Sequence, residues 1–466
     1  MSRACLPVIV VFSTLLMLSA SIQAQSLLYL DINESDPGSG APGGVFFLWD
    51  PEFLEFWSTS SSGTVATQLW QNGAVAVFGA GSDCWGVQTE IASNFSPPTI
   101  GGIRLEDCDV TISNNRLVLV GSSNELYTAG SRELDVRSQL DWPPNGAIRK
   151  TGPGLLEFTG ATGDGGTSLS TNFDLEEGTL RLASSSSTNW FGGESSADLS
   201  IGTGSTSASL NLGSADQLRN STVIDLIDGT FTLQGNDETI RGLTGSGLVT
   251  GGGILTISTN PSTYAFDGSI TDGATPTNLT IAGAGEQRFN GVLSHSGGTN
   301  VEGGGRLAVA GSLTTSAIVV EDGELASFNA ELQDVTILPS GTLKLGIGST
   351  TADGLSWEDG GTVAWELGPT ATNSDSSNLV VTDLNSISDG SLTIRINATS
   401  DVPPLAQSYP LILFSSGNNT TASHYTVDDG GLLDGRDVSI RIESDTVWLD
   451  IGALDNVFED RFETLP

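Results

Sequence analysis

Histidine is nearly missing from this chain, with two in 466 residues, and cysteine and methionine number only three and two. These shortages exclude whole classes of chemistry. His295 and His424 lie in Ser/Gly/Thr-rich contexts with no serine or cysteine partner motif, so a nucleophile–base–acid triad has no support, and both read as exposed loop residues. A zinc centre needs four nitrogen or sulfur ligands, yet neither Cys84 nor Cys108 has a C-x-x-C partner or a nearby histidine. In an exported chain these two are expected to form one disulfide, while Cys5 leaves with the leader.

Positive charge is the second shortage. Lys and Arg number 17 against 55 Asp and Glu, a net charge of −38. Nucleic acid, bound by neutralising phosphates, is excluded as a partner, and so are anionic membrane surfaces. The acidic surplus would suit a divalent cation, but no G-G-x-G-x-D nonapeptide and no EF-hand loop is present, so no cofactor is expected and calcium has no motif behind it. The surplus reads instead as a self-repelling exterior that keeps a β-rich chain soluble.

Long apolar runs are lacking after residue 24. Residues 1–24 read as a secretory signal, with Arg3 ahead of a mostly apolar Pro7 to Leu18 and a cleavage site at Ile22-Gln23-Ala24. The run is too short to cross a membrane, so no transmembrane segment is expected in the mature chain. Apolar residues at helical spacing are lacking too. What is abundant is glycine, 59 residues, with short stretches in which apolar and polar side chains alternate.

The clearest such stretch is Arg149 to Leu182, RKTGPGLLEFTGATGDGGTSLSTNFDLEEGTLRL, whose two ends say nearly the same thing. Gly154 precedes Leu156 and Phe158, and Gly178 precedes Leu180 and Leu182. The frame recurs at Gly229, Gly253, Gly305, Gly323, Gly341, Gly361 and Gly390, with degenerate copies at Ala208 and Gly285. Successive intervals are 24, 30, 21, 24, 32, 20, 18, 18, 20 and 29 residues. A fixed strand with a variable loop is the signature of stacked rungs rather than separate globules. The predicted fold is all-β, a right-handed parallel β-helix with inward Leu, Val, Ile and Phe, and polar residues outside.

The arrangement K-T-G-x-G-x-L-x-F/L-x-G, a Gly/Thr-rich turn and x-G-T-L-x-L resembles the autotransporter-associated β-strand repeat of passenger segments in bacterial surface and secreted proteins. FFLWD (Phe46 to Asp50) and WQNGAVAVFGAG (Trp70 to Gly81) resemble the leader preceding such repeats. Ile240 to Ile257 and Val301 to Leu325 are similar to later copies. The resemblance implies a passenger-type β-solenoid, here without a C-terminal barrel, since residues 453–466 leave no room for one.

Trp49, Trp57 and Trp70 cluster with Phe46, Phe47, Phe53, Phe56 and Phe78. They serve either as a platform for stacking sugar rings or as a cap on the open first rung, and terminal rungs of a stack must be atypical. The chain therefore divides into a signal (1–24), an aromatic-rich N-terminal cap (25–99), β-helix repeats (100–397), a C-terminal cap (398–452) with a hairpin near Glu443-Ser444-Asp445, and a tail (453–466).

A polysaccharide hydrolase would need paired carboxylates across a sugar, and Glu321/Asp322, Glu358/Asp359 and Asp428/Asp429 are available. Most lie in turns ahead of glycines, where aspartate favours the turn itself. A lyase would need a basic cluster, and none is visible. The expected function is therefore non-enzymatic: adhesion or an extracellular structural role, secreted or at the bacterial cell surface, with polysaccharide or cell-surface and matrix components as partners. A carbohydrate-active enzyme on a β-helix is the alternative.

Overall fold

A computed structural model describes residues 25–41, 45–92, 96–141, 146–160, 172–185, 198–205, 207–368, 376–398, 406–433 and 436–454. The signal sequence and residues 455–466 of the tail lie outside the described residues. Within the described residues the chain is built from strands, with single 3-10 turns at Ile387–Asp389 and Ala422–His424 and no α-helix. Backbone groups of each strand bond to the rung before and the rung after, which is how a solenoid satisfies polar groups that its core could not.

Three parallel ladders give the solenoid its sides. On the first face, Ser123–Thr128 pairs with Gly102–Leu105 and with Ala147–Thr151, and the same parallel relation continues to Leu392–Ala398 and Tyr425–Asp428. On the second, Leu155–Phe158 pairs with Gly178–Leu182, which pairs with Ala208–Leu212. The third face opens with Glu238–Ile240 against Gly253–Thr259. An earlier third side is the small sheet of Thr99–Ile100, Arg116–Leu119 and Gln139–Asp141.

Side-chain alternation turns this pairing into a core. On the second face Leu134, Leu156, Leu180, Leu210, Phe231, Val249, Ile270, Leu293 and Leu313 are successive register partners. All are fully buried. Each such side chain contributes about 2 kcal/mol of burial, so the fold is held by many equal increments rather than by one centre.

The frame glycines are needed because neighbouring rungs come close. Gly178 has φ of 77°, a left-handed conformation that disfavours other residues. Gly323 has ordinary backbone angles, but a Cβ there would lie 2.5 Å from the carbonyl oxygen of Gly305 on the preceding rung.

The frame glycines do not all serve one face, as a count of equal rungs would require. Gly154, Gly178 and Gly229 lead into the second face, Gly253 into the third, and Gly305, Gly323, Gly341, Gly361 and Gly390 into the first. The 32-residue interval from Gly253 to Gly285 is thus a change of face and not a long rung. The rung at that height runs from Phe266 to its partner Phe289.

The ends depart from the parallel rule. Leu27–Leu30 pairs antiparallel with Trp57–Ser58 as well as parallel with Val75–Phe78. Val45–Trp49 stacks in parallel on Val87–Ile91, so the aromatic-rich segment itself contributes rungs. At the other end Thr446–Leu454 runs antiparallel to both Ser408–Asn418 and Arg436–Glu443. The turn of that hairpin contains Ser444, at φ of 58°. The whole is a parallel β-helix with atypical terminal caps.

Candidate functional surface

The three tryptophans singled out in the sequence face inward. Trp49, Trp57 and Trp70 are at most 5% exposed and pack ring against ring at 4.8 to 5.1 Å between centroids. A sugar-stacking platform is therefore overturned for them: alternation along Val45–Trp49 turns Phe47 and Trp49 in and Phe46 and Leu48 out. The exposed aromatics among the described residues of this end are Phe46, Phe53 and Trp85. Cys84 and Cys108 are joined in a disulfide, with Cα atoms 5.1 Å apart.

Both histidines are less exposed than their polar surroundings predict. His295 is fully buried, its Nε2 3.0 Å from the Thr299 hydroxyl, while the Thr315 hydroxyl donates to its carbonyl at 2.8 Å. The polar neighbours that read as a loop are the partners that make burial tolerable, and burial pushes the imidazole down to about 4. His424 is half-buried, and its Nδ1 accepts the Thr421 backbone N–H at 3.2 Å.

Two of the carboxylate pairs have members engaged in turns. Asp359 accepts the Ser391 N–H and hydroxyl at 3.0 and 2.9 Å, which holds its carboxyl below the usual range. Asp429 accepts the Gly431 and Leu433 N–H groups, and Asp428 pairs with Arg395 at 3.2 Å. Among the described residues no group of three or more His, Cys, Asp or Glu side chains could by itself hold a metal ion. Among the same residues no helix is long and apolar enough to cross a membrane.

Sequence reasoning missed the buried polar core. Lys150, the lysine of the K-T-G stretch, occupies an inward position between Leu126 and Leu175 and is fully buried. Its Nζ donates to the carbonyls of Thr151, Gly152 and Glu177 at 3.0, 2.6 and 3.0 Å. The lysine stem fills the core while its amine satisfies a turn that the next rung leaves open. Gln217 and Glu238 do similar work elsewhere. Glu238 accepts the N–H groups of Gln217, Leu218 and Thr239, yet burial pushes its carboxyl up to about 7.

Burial lowers the Lys150 amine to about 8. The unfolded chain keeps this proton to about 10.5, so between these values the unfolded state binds more protons and stability rises with pH. Raising pH from about 7.5 to about 9.5 is expected to add about 2 kcal/mol through this residue. Urea titrations at both pH values should show the gain in the natural chain and not in Lys150→Met.

Outside, the cations are drawn into pairs that cross rungs. Arg306 bridges Glu286 and Glu324 at 3.6 and 2.9 Å, Arg104 meets Glu125 at 2.8 Å and Arg181 meets Glu157 at 2.6 Å. The Arg306 and Arg104 pairs, partly open to solvent, contribute about 0–1 kcal/mol each and match register more than they stabilise, whereas Glu157 is buried. One concavity lies where the faces merge. Gly348–Trp357 pairs with Glu331–Leu332 at one end and Val335–Ile337 at the other, so one long strand rounds a corner that earlier rungs break with a turn. Stacked on it, Ser377–Ser386 and Ser408–Asn418 continue the bend. The result is a groove of about 480 Å³ with Val380 on its floor, Thr351 and Thr382 beside it, and Glu331, Asp353 and Asp445 among its lining. Hydroxyls and carboxylates around a small apolar floor suit a hydroxylated ligand.

No family model matches the chain. Among curated proteins it is similar to the adhesin BmaC autotransporter of Brucella suis biovar 1 (strain 1330), 26% identical over 348 residues. That stretch is 73% of this chain and 9% of the relative, so the chain spans under a tenth of the protein it matches. Among solved structures it is similar to the Haemophilus influenzae Hap adhesin, at 11% identity and a TM-score of 0.29, over 82% of this chain and 63% of that one. The fold itself rests on the strand pairing above.

Proposed function

We propose that this chain is an adhesive, non-enzymatic β-solenoid of the autotransporter-associated repeat kind, acting outside the cell or on its surface. The observation that carries this reading is the similarity to an adhesin autotransporter along 73% of the chain, a length that follows the stack rather than one loop. The secretory leader read from the sequence agrees with it. The acidic exterior and the groove around Val380 favour a hydroxylated, uncharged or cationic partner, such as a polysaccharide or a matrix component.

The test is co-sedimentation of the purified chain with whole cells and with a panel of insoluble polysaccharides, combined with an assay for new reducing ends. Retention without release is the expected result. Val380→Arg, which fills the groove without entering the core, should weaken retention at least fivefold. Release of reducing ends above a boiled control would replace adhesion with polysaccharide cleavage. Retention unaffected by Val380→Arg would move the contact surface away from the groove.

A further inference from the structure

The loop that follows the first strand gathers oxygen atoms beyond what its own hydrogen bonding uses. Asp31 is fully buried, and only one of its carboxylate oxygens is engaged, Oδ1 accepting the Asn33 N–H at 3.2 Å. Its Oδ2 is buried without a hydrogen-bonding partner, and so is Oδ1 of Asn33. Burial, together with the charge of Asp83, pushes the Asp31 carboxyl up to about 6.

The chain is folded tightly to bring these groups together. Ile32 N–H donates to the Ser39 carbonyl at 2.9 Å, closing the loop on itself. Asp83 is clamped from the far side, accepting from Ser39 N–H and hydroxyl at 2.7 and 2.9 Å and from Gly40 N–H at 3.3 Å. A Cβ on Gly40 would lie 2.8 Å from the Asn33 side chain, and one on Gly38 would lie 2.5 Å from Asp83 Oδ2. Only glycine allows the loop to approach Asn33 and Asp83 this closely. Two carboxylates and an amide oxygen, with no nitrogen or sulfur donor, form a set that prefers a hard cation, and a larger ion accepts the irregular geometry of a loop.

We propose that Asp31, Asn33 and Asp83 bind one calcium ion, with backbone carbonyls and water completing its shell, and that this ion locks the N-terminal rungs. The Asp-x-Asn spacing matches the first two ligand positions of an EF-hand loop, but residue 42 is proline where that loop has glutamate. The third ligand comes from a rung away, so no local motif reveals it.

Calcium titration of the full chain by calorimetry should find one saturable site. Terbium should bind there and give emission sensitised by Trp57, whose neighbour Phe56 accepts the Asp31 N–H at 3.0 Å. Asp31→Asn should lose the saturable site and the terbium signal, while exposed Asp322→Asn should keep both. Should Asp31→Asn fail to fold, Asn33→Ala decides, with an expected loss in affinity of at least tenfold. Weak, unsaturable binding to the acidic exterior alone, or a saturable site that persists in the variant that folds, overturns the proposal.

Discussion

Replacing Leu180 with aspartate is expected to destabilise the central rungs by about 4 kcal/mol, because it strands a charge in a column of apolar side chains. Leu180 is fully buried, with Leu156 on one side and Leu210 on the other. The Lys150 position differs, since three carbonyls converge there on a polar head. Thr179→Asp is the matched control, since Thr179 faces the other way and is half-buried. It should change stability by no more than about 0.5 kcal/mol. Circular dichroism melts of the two variants decide the matter. A larger loss for Thr179→Asp than for the leucine variant would place the alternation of this strand one residue out of register, and the whole face with it. Because rungs contact only their neighbours, the leucine variant should also lose cooperativity, the transition splitting where the stack is broken.

The same alternation explains how much of the fold is legible in the sequence alone. Columns such as Leu156, Leu180, Leu210 and Phe231 announce themselves, since a strand can offer only every second residue to a core. The turn glycines are equally plain. Which face each glycine serves is not, because Gly253 and Gly285 have the same local pattern but lead into the third and first faces. A two-residue period records in and out but carries no record of the corner being turned. The polar core is hidden for a different reason. Gln287 is fully buried and bonds the N–H and carbonyl of Leu243 at 3.0 and 2.9 Å, 44 residues away. Nothing within reach of a local reading predicts such a partner. Lys150 and Glu238 share part of that logic: each reads as surface from its residue type, and each is buried with a hydrogen bond that reaches a neighbouring rung, to the Glu177 carbonyl for Lys150 and from the Gln217 N–H for Glu238, whereas His295 is buried against Thr299, four residues on. The groove is illegible too, since it arises from the joining of two faces along Gly348–Trp357 rather than from any motif.

Breaking the disulfide should have the next largest effect, and it should be confined to one end. Cys84 and Cys108 are 24 residues apart, and both are buried. Closing a loop of that size removes disorder from the unfolded chain equivalent to about 3 kcal/mol. In a globular domain that loss would spread over one transition. Here it should fall on the rungs the bond connects, since distant rungs share no contact with them. The buried group of Trp49, Trp57 and Trp70 lies directly next to those rungs and Trp357 and Trp365 lie far along the stack, so tryptophans at the two ends report on different parts of it. Cys84→Ser combined with Cys108→Ser should lower the denaturant midpoint followed by N-terminal fluorescence, read in a background where Trp142, Trp190, Trp357, Trp365 and Trp448 are phenylalanine. The midpoint followed by circular dichroism over the whole chain should move much less. A common shift in both signals would mean that the solenoid unfolds as a single unit, and the stack would then be more cooperative than nearest-neighbour contacts allow. Cys84 also follows Asp83 directly, so losing the bond frees the segment that Ser39 and Gly40 clamp through that carboxylate. The N-terminal rungs are thus tied twice, once by a covalent bond and once by a charged loop, in the part of the stack where Leu27–Leu30 mixes parallel with antiparallel pairing.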